Sequence, residues 1–440
     1  MNVKPDTAAG KFYPADRTEL LDLIDNFYAN CRNSSGYYSR AVIVPHAGYI
    51  FSGQLAAQGY MYLNPEFEKI FIIAPSHYSR IYGCVSCDFD EFETPLGNCK
   101  VDKDITKEFE LNNEAFDKEH SVEVQLPFIK YFFKQARIIP ILYGCENYKN
   151  ITKLIEKYWH DEKTAFIISS DLSHFYPERE ACKLDRYTAQ MIETGNIQNF
   201  DSEQACGAVG ICGITNFAAL NGFTLIRAGL TNSAARTGDS SRVVGYGSWF
   251  LCEGTFADYI KAFYSDYVID ICKKSIMSGL QIGDFEINTY PCAFEEACAT
   301  FVTLEIKGEL RGCIGSVIPY RSLMKDLMEN AHSAAFKDLR FEPLSQEEFD
   351  NLSIKVSILS QPERIIFESE DELLNKITPY KDGIIIRDGN FQAVYLPSVW
   401  AQLPDKQDFM RSLKLKAGMS EDYFSETFQA FKFKAVEITQ

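Results

Sequence analysis

Residues 41–48 read Ala-Val-Ile-Val-Pro-His-Ala-Gly: four apolar residues, a proline, then a histidine close to a glycine. The run is short, rich in β-branched residues and unbroken by polar ones, as a strand buried on both faces requires. The same design recurs at Lys69-Ile-Phe-Ile-Ile-Ala-Pro75, followed by Ser76-His77. It recurs again at Arg137-Ile-Ile-Pro-Ile-Leu142 and at Ala165-Phe-Ile-Ile-Ser-Ser170, the latter followed by Asp171-Leu-Ser-His174. Helix-length segments such as Arg17 to Asn30 and Ile151 to Trp159 lie between them. The alternation predicts an α/β fold, a mostly parallel sheet covered by helices. Ligands of such sheets bind outside the carboxyl ends of the strands. His46, His77 and the Asp171/His174 pair all fall there.

The whole chain has 440 residues, a length that suits two or three domains. Its 44 Lys+Arg against 61 Asp+Glu give a net charge of −17. That balance argues against nucleic acid or an anionic membrane surface as partner, since both reward clustered positive charge. No apolar run approaches the roughly 20 residues that span a bilayer. The start, Met1-Asn-Val-Lys-Pro-Asp, lacks the apolar core of a signal peptide, so a cytoplasmic location is expected. The 13 Cys are odd in number and irregularly spaced, and read as reduced thiols that mostly serve packing. Cys84-x-x-Cys87 has no matching second pair and reads as chance. The six His are scarcer and more telling: His46, His77, His120, His160, His174 and His332.

After Gly245-Tyr-Gly-Ser-Trp-Phe-Leu-Cys252 the pattern breaks at Glu253-Gly-Thr. A long helical segment over Asp258 to Gly279 follows, then short strands alternating with single helices: Ala299 to Ile306, Ile354 to Leu359, Gly383 to Arg387 and Phe391 to Leu396. Asp388-Gly-Asn390 predicts a hairpin between the last two. The expected organisation is an α/β domain over residues 1–256 and a smaller α+β domain over 262–440.

A metal centre for redox or hydrolytic work needs about three protein ligands and an open position. His46 and His77 suit such a centre, because one βαβ unit places neighbouring strand ends side by side. Cys206, in Ala205-Cys-Gly-Ala-Val-Gly-Ile211, lies at a helix start, where a thiolate is favoured; Cys212 is the competing thiol. His174 is a candidate general acid or base. Asp171 either orients it or caps a helix. In the second domain Leu310-Arg-Gly-Cys-Ile-Gly315 reads as a strand end whose glycines permit a tight turn. Arg311 beside Cys313 makes that thiol a candidate nucleophile or redox group, against the plainer reading of a small packed cysteine.

Six segments together resemble the Memo family: Ala9-Gly-Lys-Phe-Tyr-Pro-Ala-Asp16, Pro45-His-Ala-Gly-Tyr-Ile-Phe-Ser-Gly53, Ala74-Pro-Ser-His77, Glu119-His-Ser-Val-Glu-Val-Gln-Leu-Pro127, Ser169-Ser-Asp-Leu-Ser-His174 and Cys206-Gly207. The family is similar in fold to the class III extradiol dioxygenases. The resemblance implies His46, His77 and Cys206 as metal ligands, with Asp171 and His174 as polar or acid–base groups beside them. It implies that His120 and Glu123 complete the vestibule. Gly238-Asp-Ser-Ser-Arg-Val-Val-Gly-Tyr246 matches a further family segment, in which Asp239 and Arg242 read as structural. The implied metal is a divalent transition ion, iron first, with copper or zinc as alternatives. The dioxygenases have a carboxylate where this family has cysteine, a departure that shifts metal preference and redox behaviour.

Residues 262–440 resemble the AMMECR family through Leu310-Arg-Gly-Cys-Ile-Gly315, Ala331-His-Ser-Ala-Ala-Phe-Lys-Asp338, Arg340-Phe-Glu-Pro-Leu344, Tyr395-Leu-Pro-Ser-Val-Trp400 and Lys416-Ala-Gly418. The resemblance implies the Cys313 segment as its site, with His332 on a helix after this motif as a candidate for the same cleft. The two families in one chain resemble the B and A components of the AmmeMemoRadiSam system, which implies a radical SAM protein as external partner; the chain itself has no Cys-x3-Cys-x2-Cys cluster. The expected function is a metal-dependent, dioxygenase-like oxidoreductase acting on an unknown small molecule or peptide. Two alternatives stand beside it. One is a non-catalytic scaffold that binds a ligand or peptide in a remnant pocket. The other is hydrolysis, with His174 or Glu123 activating water.

Overall fold

A computed structural model describes residues 2–133, 135–283 and 290–440 and divides the chain into two units, Met1–Thr255 and Phe256–Gln440. In the first unit the four apolar runs form strands β1 (Ala41–Val44), β2 (Lys69–Pro75), β3 (Arg137–Tyr143) and β4 (Thr164–Ser169). They pair in parallel in the order β1–β4–β2–β3. Every residue of β1 and β4 is buried, which is why their sequences carry no alternation.

One flank is antiparallel. Strand β5 (His174–Tyr176) and strand β6 (Thr224–Asn232) both pair with β7 (Val243–Cys252), and β7 pairs with β1. The fold is thus the expected α/β sheet, with four parallel strands at its centre and mixed pairing outside them. Helix α1 (Arg17–Asn30) starts where the Asp16 carboxylate accepts from the Thr18 and Glu19 N–H groups. Helix α2 (Tyr148–Trp159) is capped likewise by Asn147 and buries Ile151 and Ile155, one turn apart. Helix α2 and helix α3 (Ala208–Asn221) pack on the sheet. Phe166 of β4 stacks on Phe71 at 5.2 Å and lies 5.9 Å from Trp159. Burying each such ring contributes about 1.5–3 kcal/mol.

The second unit opens with helix α4 (Phe256–Gly279) and holds two four-stranded sheets. One contains β8 (Ala299–Ile306), β9 (Glu309–Gly315) and β10 (Leu352–Leu359). The other contains β11 (Gly383–Asp388), β12 (Phe391–Tyr395) and β13 (Gln429–Phe433), and β11–β12 is the expected hairpin. The architecture is the expected α+β type. One detail differs: Gly312, Cys313 and Gly315 lie within β9 and not in a turn. An added Cβ at Gly312 would lie 2.2 Å from the Ala334 carbonyl oxygen of helix α5 (Leu323–Phe336), and one at Gly315 would lie 2.3 Å from the Phe301 ring. The glycines there serve close packing. Among the described residues no helix is long and apolar enough to cross a membrane.

Candidate metal centre

Three histidines converge at the carboxyl edge of the parallel strands. His46 follows β1 by two residues and His77 follows β2 by two; His120 opens the short helix His120–Glu123. Among the described residues their ligand atoms lie within 4.8 Å of one another. The rings stand 5.2 Å (His46–His77), 5.4 Å (His46–His120) and 4.8 Å (His77–His120) apart, and Phe12 stacks on His120 at 4.5 Å.

Hydrogen bonds decide which nitrogen each ring offers. The Ser169 hydroxyl donates its one proton to the Ser121 carbonyl at 2.7 Å and accepts from Gln125 Nε2 at 3.0 Å. Its contact with His46 Nδ1 at 2.9 Å must therefore be an acceptance. His46 carries its proton on Nδ1, and the bare Nε2 faces Cys206 Sγ at 3.3 Å and Asp171 Oδ2 at 3.8 Å. His77 Nδ1 lies 2.9 Å from Glu119 Oε1, which also accepts from the Ser121 N–H at 3.0 Å. That contact turns His77 Nε2 away from Glu119. His120 Nδ1 is buried and has no hydrogen-bond partner. Carboxylate and hydroxyl partners behind metal-ligating imidazoles fix their orientation and raise their basicity.

Burial, then the charge of the neighbouring histidines, lowers His46 well below its ordinary range. Burial and His77 bring His120 down to about 4, so both rings are neutral at pH 7, the form that binds metal. Burial acts against ionised Glu119, but the His77 ring, its N–H and that of Ser121 hold this carboxyl down to about 2. Asp171, buried, is raised to about 7 against the pull of the His46 and Ala47 N–H groups. Burial also lowers His174, whose charge is felt at His46.

Placed against the expected site, His46 and His77 come together with His120, which joins them at the centre and not at a vestibule, while Cys206 touches His46, its Sγ 3.3 Å from Nε2, and is not one of the three clustered groups. Cys212 is buried inside α3, which leaves Cys206 as the thiol at the site. Cys206 differs from expectation in its protonation. Burial, then Asp171, pushes its thiol up to about 12 in spite of the adjacent start of α3. Asp171 is not a helix cap; it accepts from the His46 N–H at 2.9 Å, and its own N–H points at Cys206 Sγ at 3.3 Å. Glu123 is displaced from the expected role. Its carboxylate is occupied by the Lys4 ammonium and by the N–H groups of Thr7 and Ala8, and so anchors the N-terminal segment. Cys313 belongs to the second unit. Sequence reasoning passed over Glu119 and Ser169; adjacency to His120 was the one available sign of Glu119.

Imidazole nitrogens and a thiol form a borderline-to-soft donor set, suited to iron, copper or zinc and unlike the oxygen cages of calcium or magnesium. The bare His46 Nε2, among three clustered rings, fits a cation held there; His120 Nδ1, without a hydrogen bond, lies 3.5 Å from Glu119 Oε1.

Residues 4–250 match the family described as Memo-like protein, and residues 269–438 match AMMECR1. A MEMO1 family protein of Aquifex aeolicus is 31% identical over 263 residues, covering 56% of this chain and 98% of its own length. One from Thermoplasma acidophilum is 32% identical over 271 residues, covering 56% and 98%. Among solved structures, the uncharacterized protein PH0010 of Pyrococcus horikoshii is 30% identical with a TM-score of 0.37, covering 39% of this chain and 89% of its own. The family match over residues 4–250 and the MEMO1 family relatives lead to one assignment: the chain belongs to the Memo-like family, with an AMMECR1 domain following in the same polypeptide.

Proposed function

We propose that the first unit is a non-haem, metal-dependent oxidoreductase of dioxygenase-like type. His46, His77 and Cys206 hold the ion, iron before copper or zinc, and His120 faces the same position. The observation that carries this reading is the convergence of His46, His77 and His120 within 4.8 Å, with Cys206 Sγ 3.3 Å from the bare His46 Nε2. A transition metal bound there supplies Lewis acidity and electron exchange with dioxygen. The chain's own groups do the rest: Ser169 and Glu119 orient two rings, Asp171 fixes the His46 peptide, and His174 moves a proton at the pocket edge. The substrate is a small molecule or peptide, handled in the cytoplasm together with a radical SAM protein.

Metal analysis of anaerobically purified protein, followed by an oxygen-uptake screen with and without that partner, tests the reading. Stoichiometric metal in the wild type that is lost in the His46→Ala, His77→Ala variant supports it; equal metal content in both overturns it. A second reading, a ligand- or peptide-binding scaffold, is favoured by Cys206 standing where the dioxygenases have a carboxylate. Peptide capture without oxygen uptake would select it. Incorporation of oxygen-18 from water instead of dioxygen would point to hydrolysis.

A further inference from the structure

Helix α1 carries two stripes. Leu20, Ile24 and Phe27 are buried in the first unit. Arg17, Leu21 and Tyr28 recur at helical spacing beside them, and Tyr28 is left 43% exposed. This second stripe lines a groove of about 690 Å³, together with Leu96 and with Lys130, Tyr131 and Phe132 of the helix Leu126–Phe132. The aromatic rings form one cluster: Tyr28 lies 5.5 Å from Phe132 and 6.2 Å from Tyr131, and those two rings stand 5.1 Å apart. The Tyr131 hydroxyl donates to the Asp25 carboxylate, which engages that acid.

Two cations of the groove are pinned to one turn. Arg17 Nη1 donates to the Pro95 carbonyl at 3.4 Å, and Lys130 Nζ donates to the Asn98 carbonyl at 2.8 Å. The turn between them is closed twice, by the Gly97 N–H on the Thr94 carbonyl at 2.9 Å and by Thr94 Oγ1 on the Gly97 carbonyl at 2.7 Å. The ends of such a turn are less than about 7 Å apart, so both cations stand at the same side of the groove. An added Cβ at Gly97 would lie 3.3 Å from Lys130 Cε, which puts the lysine stem directly on the turn. Among the described residues neither cation has a carboxylate in contact; each is held by a backbone carbonyl, and most of their N–H donors are uncommitted. In a chain with 61 acidic against 44 basic residues, two cations without acid partners beside a ring cluster are complementary to an anion with an aromatic body.

We propose that this groove is a second ligand site, made of residues outside the metal centre, and that it takes a small aromatic carboxylate. The ring of the ligand packs on Tyr28 and Phe132, in the offset or edge-to-face arrangements that aromatic pairs prefer. Its carboxylate is received by Arg17 and Lys130, as a charge-assisted acceptor of their free N–H groups. The volume is that of a site for a small molecule.

The test uses the full chain and two probes of one shape, anionic para-fluorophenylacetate and neutral para-fluorophenylacetamide, with dissociation constants read by fluorine NMR. The carboxylate binds more tightly than the amide. Its advantage falls about fivefold in Arg17→Gln and again in Lys130→Gln, as expected for loss of one nearby charge in a largely aqueous setting. Tyr28→Ala weakens both probes and keeps their ratio. In the wild type, raised salt weakens the carboxylate alone, a readout that does not depend on a variant folding. The His46→Ala, His77→Ala variant binds both probes as the wild type does, which separates the groove from carboxylate capture by the metal centre and from the fate of the oxidoreductase reading. No binding, equal affinity for the two probes, an unchanged ratio in both Gln variants, salt-independent binding, or loss of binding in the double His variant overturns the proposal. Displacement of the carboxylate by an acidic, phenylalanine-bearing peptide at lower concentration overturns the small-molecule occupant in favour of a protein segment.

Discussion

Gly207 is where the packing of the first unit and its metal centre are most tightly coupled. An added Cβ would lie 2.4 Å from Ser170 Cβ, 2.5 Å from Ser170 Oγ and 3.0 Å from the Ser169 carbonyl oxygen. None of these can retreat cheaply, because the Ser170 hydroxyl accepts from the Gly207 N–H at 2.9 Å and donates to the Asp171 carbonyl at 2.8 Å. The start of α3 must move, and Cys206 moves with it, away from His46 Nε2 and the Asp171 N–H. Overpacking of this kind costs about 1–3 kcal/mol. For a unit of this size each kcal/mol lowers the melting temperature by about 2–4 °C, so Gly207→Ala should melt roughly 2–12 °C lower. It should also weaken the thiolate-to-cobalt charge-transfer band of the Co(II)-loaded protein. Gly222→Ala separates the two effects. Its φ of +70° strains a residue with a Cβ by about 1–2 kcal/mol, yet open space surrounds it, so the band stays intact. Ser170→Gly in the Gly207→Ala background removes the worst contact and should restore part of the band. A Gly207→Ala protein with wild-type melting and an unchanged band would refute the close-approach argument.

Other outcomes follow from the same structure. Glu119→Gln weakens the hold on His77 Nδ1 and should reduce metal affinity about 10–100-fold in a chelator competition. Ser169→Ala strands the His46 and Gln125 donors and the Ser121 carbonyl, all buried; metal affinity should fall over a similar range, with about 1–3 kcal/mol of stability lost in urea titration. Asp185 is buried and raised from 3.8 to about 6, chiefly by desolvation, against the Ser173 N–H. Its folded state holds a proton that the unfolded state releases earlier, so its contribution is present below pH 3.8 and lost as pH rises through 6. Asp185→Asn should therefore gain stability relative to wild type across that window, by at most about 3 kcal/mol, and a flat difference from pH 4 to 7 would count against it.

The central strands of the first unit were legible because burial on both faces demands unbroken apolar runs, and Lys69–Pro75 carries one from Ile70 to its end. Strand β6 was not, since Arg227, Gly229 and Asn232 interrupt its pattern, and its pairing with β7 and the Arg227–Glu193 ion pair are not visible locally. His46 and His77 could be read from their places after strands. The roles of His120 and Glu123 could not be told apart, because both occupy one short helix and only its rotation decides which faces the pocket. Cys206 was legible as a thiol beside His46 but its burial was not, and burial opposes the thiolate that a helix start favours. Gly312 and Gly315 mimic a turn signal; their reason is the backbone of α5 and the Phe301 ring, neither visible in the local sequence.

The least conspicuous residue of the centre ties the rest together. Ser121 donates its N–H to Glu119 Oε1, the oxygen that meets His77 Nδ1. Its hydroxyl donates to the Pro75 carbonyl at 2.8 Å, two residues before His77. Its carbonyl accepts from Ser169, and that acceptance is what obliges His46 to carry its proton on Nδ1. His120 is its neighbour in the chain. One serine peptide thus sets the position of one ring, the partner of a second and the tautomer of a third, across elements as far apart in sequence as β1 and β4. A buried network of this kind is rigid because each lost bond leaves a desolvated donor or acceptor behind. The spacing of the three nitrogens is therefore set by the protein before any ligand arrives, and the layer behind the histidines governs the centre as much as the histidines do.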